Sequence, residues 1–386
     1  MRDFGSQPVP LADETTLHVG GTPRRMVNAA TEEEMLEVLD SPQFGMVGDE
    51  PLLVLGGGSN LVVSGDPFPG TVLRDRRSDI QPSKETVCDG TIVNVAAGTN
   101  WDEVVQWAVE ENLSGIEALS GIPGSAGAAP VQNIGAYGRE IARNLVGVRV
   151  FDRLEGRVFS LPKSALDLSY RNSIIKESLS SKAAGGGRLW GPTGRWVILS
   201  IKLCLANSEE SAPIRYRELA ETLGVSVGQG APLAAVREAV LAIRRSKGMV
   251  YNPADHDTWS VGSFFVNPIL EETEADHLLP FSAPRFPVAD VAKELRVQPQ
   301  RKTENPPTYV KTSAAWLLER AGFHKGFGLT PDARARLSTK HVLAITNRGG
   351  ATTSDIVDLA RAVRDGVQEH FSITLHPEPV LVGVEI

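Results

Sequence analysis

Apolar positions recur along this chain with two periods, one helical and one extended, and they predict its elements. Thr31 and Glu34 form a capping-box pattern at the start of a helix whose apolar side is Met35, Leu36, Val38 and Leu39. Pro51-Leu52-Leu53-Val54-Leu55 reads as a short buried strand running straight into Gly56-Gly57-Gly58-Ser59-Asn60. Further strands are predicted at 71–73, 91–97, 147–152, 156–160 and 196–205. Asn100 is placed to cap a helix through about 112, with Glu103 at its third position and Val104, Val105, Trp107, Ala108 and Val109 as its stripe. Residues 213–247 read as connecting helices. Beyond them come a strand near 262–267, a helix at 312–321, a strand at 341–346 and a helix at 354–371. The last helix places Ile356, Leu359, Ala360, Val363, Val367 and Phe371 on one face.

Three stretches break this periodicity. Residues 113–138 form a long run rich in Gly, Ala, Ser and Pro, and a loop of that length inside a domain is usually functional. Residues 176–195 contain Ser178-Leu179-Ser180-Ser181 and Gly185-Gly186-Gly187, a composition that predicts a flexible surface insertion. Residues 280–310 are rich in proline. The resulting division is 1–78 (rejoined by 379–386), 79–212, 213–247 and 248–378.

Composition narrows the class. The 386 residues are 41% hydrophobic and 22% charged, enough for a buried core and too apolar for general disorder. A net charge of -8 makes nucleic acid and anionic membrane surfaces poor partners. Any anionic ligand must therefore be held by local cations or backbone N–H groups. No apolar run reaches 18 residues and no signal-like segment opens the chain, so the expectation is a cytosolic protein; separately, a monomer is the assembly state expected. Cys88 and Cys204 lie outside any C-x-x-C or His-rich context, which argues against a zinc site and a disulfide scaffold.

Five motifs carry candidate chemistry. Gly56-Gly57-Gly58-Ser59-Asn60 can form a close-approach nest for an anion, or simply a tight turn. There is no G-x-G-x-x-G, so a Rossmann dinucleotide site is not indicated. The run Gly121-Ile122-Pro123-Gly124-Ser125-Ala126-Gly127-Ala128-Ala129-Pro130-Val131-Gln132-Asn133-Ile134-Gly135-Ala136-Tyr137-Gly138 is more specific. Its small residues let backbone lie against a flat ring or pyrophosphate, and Ser125, Gln132 and Asn133 add directional hydrogen bonds; a buried packing loop is the alternative. The remaining three are Tyr170-Arg171-Asn172-Ser173, Gly262-Ser263-Phe264-Phe265-Val266-Asn267 and Leu375-His376-Pro377-Glu378-Pro379. Taken singly, these also suit a surface pair, a strand-edge serine and an exposed loop carboxylate.

In this order, the motifs resemble the UDP-N-acetylenolpyruvoylglucosamine reductase family, over about Thr16 to Gly383. The resemblance implies an α+β protein: a two-lobed FAD-binding domain of the vanillyl-alcohol-oxidase type (lobes 1–78 with 379–386, and 79–212) and a separate substrate-binding domain at 248–378. It implies non-covalent FAD, NADPH as co-substrate and reduction of UDP-N-acetylglucosamine enolpyruvate. Cofactor contacts are then expected from Gly56, Gly57, Gly58, Ser59, Asn60, Gly121, Ile122, Pro123, Gly124, Ser125, Gly127, Ala128, Gln132, Asn133, Gly135, Ala136, Tyr137 and Gly138. Arg171 resembles the family's catalytic arginine, Ser263 its general acid and Glu378 its catalytic glutamate. Lys247 and Asn267 resemble substrate contacts, and Tyr216 the tyrosine that covers the uridine in one family type. Arg320 stands where many members carry Gln, and Pro379-Val380-Leu381 replaces a Val-Arg segment. An oxidase of the same fold and a non-enzymatic nucleotide-binding protein are the rival readings; neither needs an acid such as Ser263 to protonate a product carbanion.

Overall fold

The structure, a computed structural model, describes residues 5–45, 48–83, 90–288 and 308–386. The chain divides into two compact units: Met1–Glu14, Thr22–Ser59 and Asp66–Val250 form the first, and Thr15–Gly21, Asn60–Gly65 and Tyr251–Ile386 the second.

In the first unit, Phe68–Asp75 lies between Pro23–Ala29 and Leu52–Leu55 in a parallel arrangement. Helix Glu32–Leu39 buries Met35, Val38 and Leu39 in a core shared with Val27, Leu52 and Leu73. Its start is the predicted capping box: Glu34 N–H donates to Thr31 Oγ1 at 3.2 Å, and Thr31 N–H to the Glu34 carboxylate at 3.3 Å. A second, antiparallel sheet runs in the order Arg157–Pro162, Leu145–Asp152, Trp196–Asn207, Thr91–Ala96, Ile80–Ser83. Helix Trp101–Glu110 contributes Trp101, Val104, Val105 and Ala108 to the core that this sheet also lines, and Asn100 caps it by accepting from Asp102 and Glu103 N–H. Cys204, on the strand Trp196–Asn207, is disulfide-bonded, contrary to the expectation; Cys88 lies outside the described residues.

The segment 176–195 departs from its predicted flexibility. Trp190 is buried, and its indole N–H donates to the Gly185 carbonyl at 2.7 Å. The guanidinium groups of Arg153 and Arg188 lie 4.8 and 4.5 Å from its ring centroid. Arg153 in turn donates to the carbonyls of Phe44 and Thr193. Burial, with the nearby Arg188 adding to it, pushes Arg153 down to about 10. One large aromatic ring between two cations thus holds a stretch whose composition alone reads as a linker. Of the Pro-rich stretch 280–310, residues 289–307 lie outside the described residues.

The second unit is organised by helix Thr353–Phe371, capped by Thr352 and Asp355. Its predicted face is buried at Ile356, Leu359, Ala360, Val363, Val367 and Phe371, against Leu317 and Leu318 of helix Ala314–Arg320. Val380–Val382 pairs in parallel with Leu61–Val63 within this unit. The strand expected near 262–267 is not formed; Phe265 makes only an isolated bridge to Pro377. The cause is that Phe264 and Phe265 are both buried, with ring centroids 5.2 Å apart. A regular strand sends consecutive side chains to opposite faces and cannot bury both in one core. Among the described residues, no helix is long and apolar enough to cross a membrane, and no cluster of acidic, His or Cys residues could hold a metal.

Candidate functional site

In the first unit, the two glycine-rich loops meet. A Cβ at Gly57 would lie 2.7 Å from the Gly124 Cα, so backbone touches backbone there and only glycine fits. Ser59 Oγ donates to the Pro123 carbonyl at 2.9 Å and ties the loops together. The 121–138 run is itself fixed by main-chain bonds: Ala126 and Gly127 N–H donate to the carbonyls of Thr99 and Ala97. Gly121 N–H donates to Asp102 Oδ1 at 2.6 Å. Asp102 also takes both terminal nitrogens of Arg237, at 2.7 and 2.8 Å. Burial raises the Asp102 carboxyl, but the Arg237 bonds, the Gly121 N–H and the nearby Arg244 together hold it below the usual range.

Arg171 is positioned by this same run. Its Nη2 donates to the Gly135 carbonyl at 2.6 Å and its Nη1 to the Asn133 carbonyl at 3.4 Å. Asn133 is fully buried, and its side chain is bonded to Glu140, the Ser169 carbonyl and Ala142 N–H. Asn133, Tyr137 and Arg171 all have left-handed backbone, with φ of 46°, 50° and 56°. Each such residue costs on the order of 1–3 kcal/mol and persists only where its surroundings over-determine it. Two of the three are joined directly, the Arg171 guanidinium donating to the Asn133 carbonyl, and Tyr137 lies on the same run. Burial pushes the Tyr137 phenol up to about 12, so it stays neutral through the ordinary pH range.

Tyr216 precedes helix Arg217–Leu223, is 44% exposed, and stands edge-on to Tyr137 with centroids 5.4 Å apart. Lys247 caps the end of helix Leu233–Ser246 and pairs with Glu218 at 2.5 Å. Two participants escaped sequence reasoning. Glu218 reads there as an ordinary helix-surface acid. Arg244 reads as one more charge at a basic helix end, yet it is half-buried, its Nη2 donates to the Met249 carbonyl at 2.7 Å, and its Nε is buried with no hydrogen-bond partner. Burial pushes its guanidinium below the usual arginine range. The Nε lies 3.4 Å from where a Gly121 Cβ would stand.

In the second unit, the segment that follows Ser263 pairs with the segment that carries Glu378. Glu378 N–H donates to the Phe264 carbonyl at 2.8 Å, and Val266 N–H to the His376 carbonyl at 3.0 Å. Both side chains are half-buried, and Gly262 (φ 77°) makes the turn before the serine. Asn267 Oδ1 accepts from Ala314 N–H at 2.9 Å, where helix Ala314–Arg320 begins. Asn60 belongs to this unit, and its carbonyl accepts from Val380 N–H.

The first unit fits FAD on its own features. The glycine-lined approach of 56–59 to 121–127 suits a pyrophosphate and a flat ring, and a guanidinium with a buried orphan N–H suits an acceptor group on such a ligand. The residues that would hold it are the glycines at 56, 57, 121 and 124, with Ser59, Ser125 and Arg244.

Comparison with known proteins agrees. The FAD binding domain family model matches residues 23–161, and that of the UDP-N-acetylenolpyruvoylglucosamine reductase C-terminal domain matches 252–382. The UDP-N-acetylenolpyruvoylglucosamine reductase of Thermobifida fusca is 48% identical, covering 98% of each chain. That of Mycobacterium tuberculosis is 45% identical, covering 98% of this chain and 95% of the relative. Among solved structures, UDP-N-acetylenolpyruvylglucosamine reductase from Thermus caldophilus matches with a TM-score of 0.58 over 97% of this chain and 98% of that one; at 23% identity it speaks to the fold. The fold is α+β, with an FAD-binding domain of the vanillyl-alcohol-oxidase type and a separate C-terminal domain. On this evidence the chain belongs to the UDP-N-acetylenolpyruvoylglucosamine reductase family and is an FAD-dependent oxidoreductase.

Proposed function

We propose that this protein reduces UDP-N-acetylglucosamine enolpyruvate to UDP-N-acetylmuramate with NADPH, in the cytoplasm, for peptidoglycan precursor synthesis. The observation that supports the reading is the backbone pairing of the segment that follows Ser263 with the segment that carries Glu378: Glu378 N–H donates to the Phe264 carbonyl and Phe265 bridges Pro377. When bound, FAD supplies the two-electron redox chemistry.

Reduction of the enolpyruvyl double bond puts negative charge on the carbon next to the substrate carboxylate, and the protein's task is to stabilise it. Arg171 is suited to that carboxylate: its guanidinium is planar, permanently charged, and held at a set angle by the carbonyls of Gly135 and Asn133. Glu378 donates to the developing charge in its protonated form. Removing one such preorganised donor typically costs ~10²–10³ in rate. Ser263 Oγ then delivers the proton to carbon. Serine is a weak acid, but an enolate is a strong base, and the half-buried setting of Ser263 limits competition from water. Lys247 serves as a point charge for the pyrophosphate, Asn267 as a further substrate contact, and Tyr216 as a mobile cover for the uridine.

Stopped-flow kinetics on Ser263→Ala test this. Flavin bleaching by NADPH should keep its rate, while recovery on adding the enolpyruvyl sugar should slow at least about 10²-fold. Equal slowing of both phases would remove the acid role from Ser263.

A further inference from the structure

Lys247 is already paired in this structure. Its Nζ lies 2.5 Å from Glu218 Oε2, with the two side chains 33% and 42% exposed. The pair joins two helix ends of opposite polarity. Glu218 sits in the first turn of Arg217–Leu223, where a carboxylate is favoured, and Lys247 caps the C-terminal end of Leu233–Ser246, where a cation is favoured. The bodies of these helices are held by a shared apolar core that includes Leu219, Ala220, Val236, Val240 and Ile243. Leu219 and Ala220 fix the turn carrying Glu218 from below, so the carboxylate is presented to Lys247 by a packed scaffold. The neighbouring Arg217 is engaged by Glu221 at 2.7 Å.

A phosphate that reaches Lys247 meets Glu218 at the same ammonium group; its three N–H donors can serve two anions, but one positive charge does not offset two negative ones, and their repulsion makes each weaken the other's hold. We infer that Glu218 is a built-in competitor for the ligand's phosphate: binding at Lys247 is an exchange of one anion for another. The inference rests on the reading of Lys247 as a phosphate contact. It assigns Glu218 a positioning role that sets substrate affinity, with no part in the chemical step. The pair lies two residues beyond Tyr216, so the exchange also releases the first turn next to the tyrosine proposed to cover the uridine. The site thereby trades affinity for a ligand-dependent change at its own edge. An exposed ion pair of this kind is weak enough to be displaced and salt-sensitive enough to be recognised.

The experiment measures uridine 5′-diphosphate binding to the FAD-loaded protein by calorimetry, in wild type, Glu218→Gln, Lys247→Met and the double variant, at low and high salt. Glu218→Gln should bind about three- to tenfold more tightly at low ionic strength, and the gain should shrink as salt screens the competition. In the Lys247→Met background, Glu218→Gln should change affinity less than about twofold, since no cation remains to be contested. In turnover, Glu218→Gln should lower KM with little change in kcat. Weaker binding by Glu218→Gln would overturn the inference and show that the carboxylate orients the ammonium instead. An equal gain in both backgrounds would overturn it too, as simple removal of a repelling charge. If Lys247→Met itself binds as wild type does, the phosphate role of Lys247 fails and the competition with it, whereas FAD content and bleaching by NADPH would still stand for the proposed oxidoreductase.

Discussion

Two segments of the first unit share a vocabulary of glycine, alanine and serine and use it in opposite ways. In 121–138 the glycines are the working parts: Gly124 lets a second loop approach to backbone contact, and the chain is held by main-chain bonds to Thr99, Ala97 and Asp102. In 176–195 the glycines also touch backbone, Gly185 at the Arg188 carbonyl and Gly194 at the Ile175 carbonyl, but the chain they meet is within or next to the segment, and Trp190 with Arg153 and Arg188 against its ring ties it to the rest of the unit. The same low-complexity composition thus lets a second loop close in at one place and lets the chain fold onto itself around one indole at the other. What separates them is where the buried anchoring atoms reside, on the backbone or on one side chain.

The largest effect should come from the anchor. Trp190→Ala should cost about 3–5 kcal/mol, read as a lower urea midpoint, while each folded molecule still takes up one FAD. Equal loss of FAD per folded molecule would erase the distinction between the segments. Gly57→Ala comes next: the new methyl must push Gly124 away, an overpacking worth about 1–3 kcal/mol. Because it falls in the cofactor loops, it should appear as a roughly ten- to hundredfold weaker FAD affinity by flavin fluorescence titration. Retained affinity would show that the approach of 57 to 124 is mere packing.

The smallest effect is on the alkaline limb. Burial raises the Tyr137 phenol from 10.0 to about 12 in the folded protein. The folded state therefore holds this proton more tightly than the unfolded chain does. Its contribution is complete below pH 10 and is lost as pH rises through about 12. Tyr137→Phe should flatten the fall in stability between those values, measured by denaturant unfolding at a series of alkaline pH values. An unchanged limb would mean that Tyr137 is solvated.

Much of the architecture was legible because it depends on neighbours along the chain. Thr31 and Glu34, Asn100, and the face from Ile356 to Phe371 are local patterns, and each forms where the spacing predicts. The motifs around Arg171, Ser263 and Glu378 were legible as a resemblance, through residue types and order. Legibility failed where distant groups decide the outcome. No spacing announces that Arg153 and Arg188 will flank Trp190, or that Glu218 will meet Lys247. Nor does it announce that Phe264 and Phe265 will both turn into one core and dissolve an expected strand.

By itself, then, the order of residues determined the main helices, the long strands of the antiparallel sheet, the glycine-rich loops and the family, because capping, periodicity and backbone freedom act over a few positions; Pro23–Ala29 and Leu61–Val63 were not legible in it. Tertiary structure alone decided which glycine run meets a second loop and which closes around an indole. It also left the Arg244 Nε buried without a partner and paired the segment after Ser263 with the one that carries Glu378. Burial, close approach and charge pairing depend on distance in space, and only the folded chain defines those distances.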